Sequence, residues 1–226
     1  MISRTLSSSV GFAAFALAAA CAASPVLAQS SPQAASLPAP AAQPAPLSQA
    51  DAPAYVVGEK WTFKYENALD PSKNSTYTQA VSNVGPGRVE LNQGATVLDA
   101  NGNIVKLGAT SYEPSDGKLR FPMHVGDAWS GSYSYKTGSW EAIGQRRSKV
   151  VDVELVETAA GSFQAFRIEQ SVAWSAGGGN RGEGQTREVD WYAPAVGRIV
   201  KLDYTDQATH AAPTTTHVEL VGFTKP

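Results

Sequence analysis

Residues 187–204, Arg-Glu-Val-Asp-Trp-Tyr-Ala-Pro-Ala-Val-Gly-Arg-Ile-Val-Lys-Leu-Asp-Tyr, decide the fold class. Val189 and Trp191 oppose Glu188 and Asp190. After the turn signal Pro194 to Gly197, Val200, Leu202 and Tyr204 oppose Lys201 and Asp203. Alternation at period two gives each strand one apolar and one polar face, the pattern of an antiparallel sheet packed on one side. The same alternation recurs outward from this hairpin. Trp61, Phe63 and Tyr65 share a face, as do Val151, Val153 and Leu155, then Phe166, Ile168, Val172 and Trp174, and finally Val218 and Leu220 opposite His217 and Glu219. Phe163 and Phe166 cannot share a face of an unbroken strand, which predicts a bulge near Ala165. Turn signals at Gly85-Pro86-Gly87, Asn101-Gly102-Asn103, Asp116-Gly117 and Gly177 to Gly179 separate the runs. Counted this way, residues 55–226 predict an all-β domain of about 11–13 antiparallel strands, arranged as a strongly curved sheet, half-open barrel or sandwich with little helix.

Upstream the composition changes. Residues 1–28 hold Arg4, the apolar run Val10 to Ala20 and a small-residue end at Val26-Leu27-Ala28, the three parts of a signal peptide. The apolar run is shorter than the roughly 20 residues needed to span a bilayer, so no transmembrane segment is expected in the mature form. A periplasmic or secreted protein is therefore expected. Cys21, after Leu17-Ala18-Ala19-Ala20, offers an alternative as the anchor of a lipoprotein. Residues 29–54 contain nine Ala, six Pro and one charge, Asp51, and read as an extended tether, because proline blocks helix and sheet hydrogen bonding. That leaves 172 of the 226 residues for a single domain.

Several chemistries are missing. With 18 basic and 20 acidic side chains the chain is mildly acidic, which argues against nucleic acid as a partner. Cys21 is the only cysteine, so the mature domain has neither a disulfide nor a thiolate nucleophile. His124, His210 and His217 lack metal-ligand spacing, and no nucleophile elbow is present. Gly177 to Gly182 reads as a hairpin loop, and Asp99 to Asn103 reads as a β-turn in place of a calcium loop. No catalytic residue, metal site or cofactor is expected.

An internal echo stands out. Val57-Gly58-Glu59-Lys60-Trp61 with Tyr65 recurs as Val125-Gly126-Asp127-Ala128-Trp129 with Tyr133. Glycine permits a positive-φ turn, the acid can bond its backbone, and the tryptophan opens the next strand pointing inward. Two similar strand starts are expected, with Trp61 and Trp129 plugging the two ends of a curved sheet and Trp191 also in the core.

These two motifs resemble those of uncharacterised secreted bacterial domains of unknown function. So do Phe121-Pro122-Met123, Gly161-Ser162-Phe163-x-Ala165 and Trp191-Tyr192-Ala193-Pro194-Ala195-Val196-Gly197-Arg198-Ile199-Val200-Lys201. The resemblance spans nearly all of 55–226. It implies a curved antiparallel sheet or half-barrel distantly similar to the periplasmic carriers LolA and LolB, and it brings no catalytic residue with it.

Two groups of residues are candidates for function. Trp140, set among Gly138, Ser139 and Gly144, and Trp174, beside the glycine loop, are candidate ligand-binding aromatics at a rim. Arg167, Glu169, Glu188, Asp190, Lys201, Asp203, His217 and Glu219 form a polar face, read as a solvated outer surface with cross-strand ion pairs, or more sharply as a carboxylate cluster. The expected function is a non-enzymatic exported binding module holding a hydrophobic or lipid-like ligand. The alternative is an envelope assembly component that engages a protein partner through a sheet edge or the tether. An enzyme is the third reading and would need carboxylates such as Asp190 and Glu219 to converge.

Overall fold

A computed structural model describes residue 45 and residues 47–226. The expected signal peptide, Cys21 and the spacer up to residue 44 lie outside the described residues. Twelve strands follow one another around a wall: β1 (Lys60–Asn67), β2 (Ser75–Gly85), β3 (Arg88–Leu91), β4 (Thr96–Asp99), β5 (Ile104–Leu107), β6 (Thr110–Glu113), β7 (Ala128–Thr137), β8 (Trp140–Thr158), β9 (Gly161–Gly177), β10 (Glu183–Ala193), β11 (Arg198–Ala208) and β12 (Thr214–Thr224). Every neighbouring pair is antiparallel, and β1 pairs with both β2 and β12, so the sheet closes on itself. Twelve strands fall within the expected number. Closure replaces the half-open barrel expected from the resemblance, and it leaves no strand with an unpaired side.

Antiparallel order sorts the connections into two ends. The hairpins β1–β2, β3–β4, β5–β6, β7–β8, β9–β10 and β11–β12 turn at one end, the mouth. The remaining turns, the start of β1 and the long β6–β7 connection lie at the other end, the base. The base is filled. One cluster packs Trp61, Phe63, Leu91, Leu98, Val200 and Leu220. A second packs Met123, Val150, Phe166, Ile168 and Tyr192 with Ala50. The β6–β7 connection forms part of this filling. Asn103 brackets it, with its Nδ2 donating to Leu119 O at 3.0 Å and its Oδ1 accepting from Leu119 N at 2.7 Å, while Trp129 Nε1 donates to Gly117 O at 3.1 Å. Asp116-Gly117 is therefore part of a basal plug and not a hairpin turn. Residues 47–54, read as the end of the spacer, are laid along the same end. Ala50 exchanges backbone hydrogen bonds of 2.9 and 2.8 Å with Met123 and is buried.

The repeated motif builds two matching starts. Gly58 and Gly126 have φ of +94° and +96°. Glu59 Oε2 accepts from Val56 N at 3.2 Å, and Asp127 Oδ2 accepts from His124 N at 2.8 Å. Gly58 N donates to Val81 O on β2 as Gly126 N donates to Val150 O on β8, both at 2.9 Å. The motif thus recurs six strands apart in a twelve-strand wall and relates two six-strand halves. Trp61 and Trp129 consequently stand at the same end, not at opposite ends as expected from a curved open sheet. A Cβ at Gly126 would touch nothing, so Gly126→Ala isolates the cost of the left-handed backbone. A loss of about 1–2 kcal/mol is expected, read as a lower urea midpoint at unchanged slope. An unchanged midpoint would mean that the turn relaxes freely.

The expected bulge near Ala165 lies instead in the partner strand, where the β8–β9 register shifts between Val150 and Asp152. Phe166 enters one cluster and Phe163 packs against the other, so the two rings are separated without a break in β9. Beyond the shift, the expected apolar face of Val151, Val153 and Leu155 is divided. Val153 packs against the Phe166 cluster and Val151 is half-buried, but Leu155 is 56% exposed, while Val156 is buried in the Trp61 cluster.

The outer wall faces water by composition. Gln145, Arg147 and Lys149 of β8, Glu169 and Ser171 of β9 and Arg187 of β10 point outward at mid-strand, where a lipid-facing barrel would carry an apolar band. Among the described residues no helix is long and apolar enough to cross a membrane.

Candidate functional site

Above the basal plug the lumen is hollow. Its larger lobe, about 600 Å³, is bounded by Phe63, Tyr65, Tyr77, Leu107, Leu202 and Val218, with Tyr55, Gln79 and Arg198 at depth. Its smaller lobe, about 380 Å³, is bounded by Tyr133, Tyr135, Trp140, Ala142, Trp174 and Arg146. Ile104, Tyr112, Asp116, Lys118 and Tyr204 line both, so the lobes adjoin across these side chains. Tyr77 and Leu107, 39% and 44% exposed, stand at the mouth.

Glycines keep the smaller lobe open. On β8, a Cβ at Gly144 would lie 2.5 Å from the Tyr133 ring of β7. On β10, one at Gly184 would lie 2.5 Å from the Trp174 ring of β9. Each ring therefore lies flat across a bare neighbouring strand and presents its face to the lumen. The expected ligand-binding pair comes together here. Trp140 and Trp174 both line the smaller lobe, with Gly182 between them and Trp174 Nε1 donating to Asp206 Oδ1 at 2.9 Å.

The floor is charged, and the sequence reading missed this. Glu188 and Asp190 do not belong to a solvated outer face. They point into the barrel with 4% and 0% exposure, and it is Val189 and Trp191 that face outward. Trp191 is satisfied there because Lys201 Nζ sits 4.6 Å from its ring and its indole donates to Glu154 Oε2 at 2.8 Å. It is half-buried and packs against the Trp61 cluster from outside the lumen. Inside, Lys118 Nζ from the basal plug lies 2.6 Å from Glu188 and 3.8 Å from Asp190, and Arg146 Nη1 lies 3.3 Å from Glu188. Gln170 ties the group together. Its Oε1 accepts from Arg146 and Ser148 at 2.8 Å each, and its amide donates to Asp190.

Environment separates the carboxyls. Burial acts on Glu188 to raise its pKa, but Lys118 and Arg146 outweigh it and hold the group at about 2. Burial pushes Asp190 up to about 7, with the Glu188 charge adding to the push and Lys118 opposing it. Burial likewise raises Asp116 against the pull of Lys118 and Arg146. The rest of the expected polar face does lie outside. Arg167 pairs with Glu154 and Glu169 at 2.8 Å, and His217 bonds Asp203 at 2.6 Å. Glu219 accepts from Ala159 N there, so Asp190 and Glu219 stand on opposite sides of the wall and do not converge. No group of three or more potential metal ligands occurs among the described residues.

The inward acids are in phase with β9 positions that the sequence does mark as inward. Thr186, Glu188 and Asp190 stand two apart, and in the register with β9 Asp190 and Glu188 fall opposite Ile168 and Gln170, whose neighbours Phe166 and Val172 read as inward. Only strand pairing reveals that phase.

No protein-family model and no curated protein matches the chain. Solved structures similar to it include a candidate exported protein of Bacteroides fragilis described as having a YmcC-like fold. It is 17% identical, with a TM-score of 0.49, over 78% of this chain and 100% of that one. A candidate lipoprotein of Parabacteroides distasonis is 13% identical with a TM-score of 0.42, over 78% and 99% of the two chains. The hypothetical lipoprotein YmcC of Escherichia coli is 11% identical with a TM-score of 0.41, over 74% and 84%.

Proposed function

We propose that the chain is an exported, non-enzymatic binding module that holds a hydrophobic or lipid-like ligand inside the barrel. The observation that supports this is the larger lobe, an aliphatic and aromatic recess of about 600 Å³ that remains above the plug. Its size is that of a site for a small organic ligand. The lumen carboxylates favour binding over catalysis because each already has a partner. Glu188 has Lys118 and Arg146, Asp190 has Gln170, Asp206 has Trp174 and Thr186, and Asp116 accepts from Ile104 N at 2.9 Å. Capture of a partner by strand addition finds no template in a closed wall. The signal-peptide pattern of residues 1–28 supports a place in the periplasm or outside the cell, with a lipid anchor at Cys21 as the alternative.

Native mass spectrometry of protein purified from its own envelope fraction tests the reading. A small amphipathic molecule retained at one copy per chain and released on denaturation is expected. A bare chain, or one retained only with another protein, would overturn it.

A further inference from the structure

Among the described residues three cations line the lumen, and they are not alike. Lys118 and Arg146 both contact Glu188, and Lys118 also lies 3.8 Å from Asp190. Arg198, in the larger lobe, is in no ion pair with a described carboxylate. Its Nη2 donates to Gln79 Oε1 at 2.7 Å, its guanidinium lies 5.3 Å from the centre of the Trp61 ring and beside the Tyr55 hydroxyl, and its Nη1 is shielded from water and makes no hydrogen bond of normal geometry to a described residue. Among the described residues the only carboxylate lining that lobe, Asp116, is engaged by the Ile104 amide and flanked by Lys118 and Arg146. A full positive charge held in an apolar recess without a counter-charge is costly, and an anion reaching it is correspondingly favoured.

Position sets the rest of the ligand. Gln79 lies opposite Trp61 near the base, while Ser75 begins β2 at the mouth. Four residues of strand span roughly 13 Å, enough for a medium-length acyl chain lying along Phe63, Tyr77, Leu202 and Val218. Building on the lumen-binding reading, we infer that the larger lobe takes a single-chain amphiphile head first, its anionic head at Arg198 and its aliphatic tail toward the mouth.

The test is displacement of the neutral fluorophore N-phenyl-1-naphthylamine from the purified chain at pH 8. The competitors are dodecanoate, dodecyl phosphate and 1-dodecanol, all below their micellar concentrations. At least one anion is expected to compete at a concentration tenfold or more below that of the alcohol, and the better of the two names the head. In Arg198→Met the advantage should shrink to twofold or less while the alcohol is unchanged, and Arg198→Lys should keep part of it. If the methionine variant fails to fold, the anion-to-alcohol ratio on the unaltered chain and the lysine variant still decide. Equal competition by all three would overturn the anionic head and leave lumen binding standing. Failure of the fluorophore to bind saturably would overturn both.

Discussion

Glu188→Ala is expected to lower folding stability by about 3–5 kcal/mol, the range for removing one partner from a buried ion pair. Glu188 is 4% exposed and is the closest carboxylate to both Lys118 and Arg146. Without it Arg146 keeps Asp116 O, Gln170 Oε1 and the Tyr133 ring, none of them an anion. Lys118 can turn to Asp190, whose pKa falls once the neighbouring Glu188 charge is gone, so part of the loss is recovered above neutral pH. Glu169→Ala provides the contrast. Glu169 is half-exposed and pairs with Arg167 on the outer wall, where such a pair contributes no more than about 1 kcal/mol. Urea denaturation of the two variants side by side measures the difference. Equal, small effects would mean that Glu188 is solvated after all.

Asp190 makes stability depend on pH in a direction opposite to that of an ordinary salt-bridged carboxylate. In the folded protein it keeps its proton up to about 7, against an ordinary value of 3.8, because it is buried. Between those values the folded chain binds more protons than the unfolded one, so stability falls as pH rises through the window and levels off above it. The limiting slope is roughly 1.4 kcal/mol per pH unit for one proton. Glu188, held down to about 2 against 4.5, acts the other way, and its contribution is lost as pH falls below about 4.5. Together the two place the optimum near pH 4–5. Asp190→Asn keeps an acceptor for the Gln170 amide and removes the titration. Its stability relative to the unaltered chain should climb steadily from pH 4.5 to 7.5. Denaturation midpoints at several pH values and constant ionic strength read this directly, and parallel curves would show that Asp190 does not hold its proton.

How much of this was legible beforehand differs from strand to strand. In β9, β11 and β12 the apolar positions are the inward ones, so period-two reading located Phe166, Ile168, Leu202, Tyr204 and Leu220 correctly. The Gly-acid-x-Trp turns were also legible, since a positive φ and a side-chain cap are local demands that two adjacent residues meet. In β10 the same reading inverted the strand. Val189 and Trp191 are apolar yet face out, because the outer surface supplies Lys201 and Glu154 to cover the indole. Glu188 and Asp190 are acidic yet face in, because Lys118 arrives from the β6–β7 connection to meet them.

Sequence by itself determined the antiparallel all-β class, the approximate number of strands and the turns, since alternation and glycine placement act over a few residues. It also marked Trp140 and Trp174 as exceptional, on the strength of their glycine neighbours. Only tertiary structure decided that the sheet closes, that the connection Pro114 to Asp127 plugs the base, that Glu188 and Asp190 are buried inside the wall, and that Arg198 lines the larger lobe in no ion pair with a described carboxylate. The physical reason is range. Which face of a strand is the inner one depends on charges and rings brought from dozens of residues away, and an interior that accommodates paired charges does not sort side chains by polarity alone.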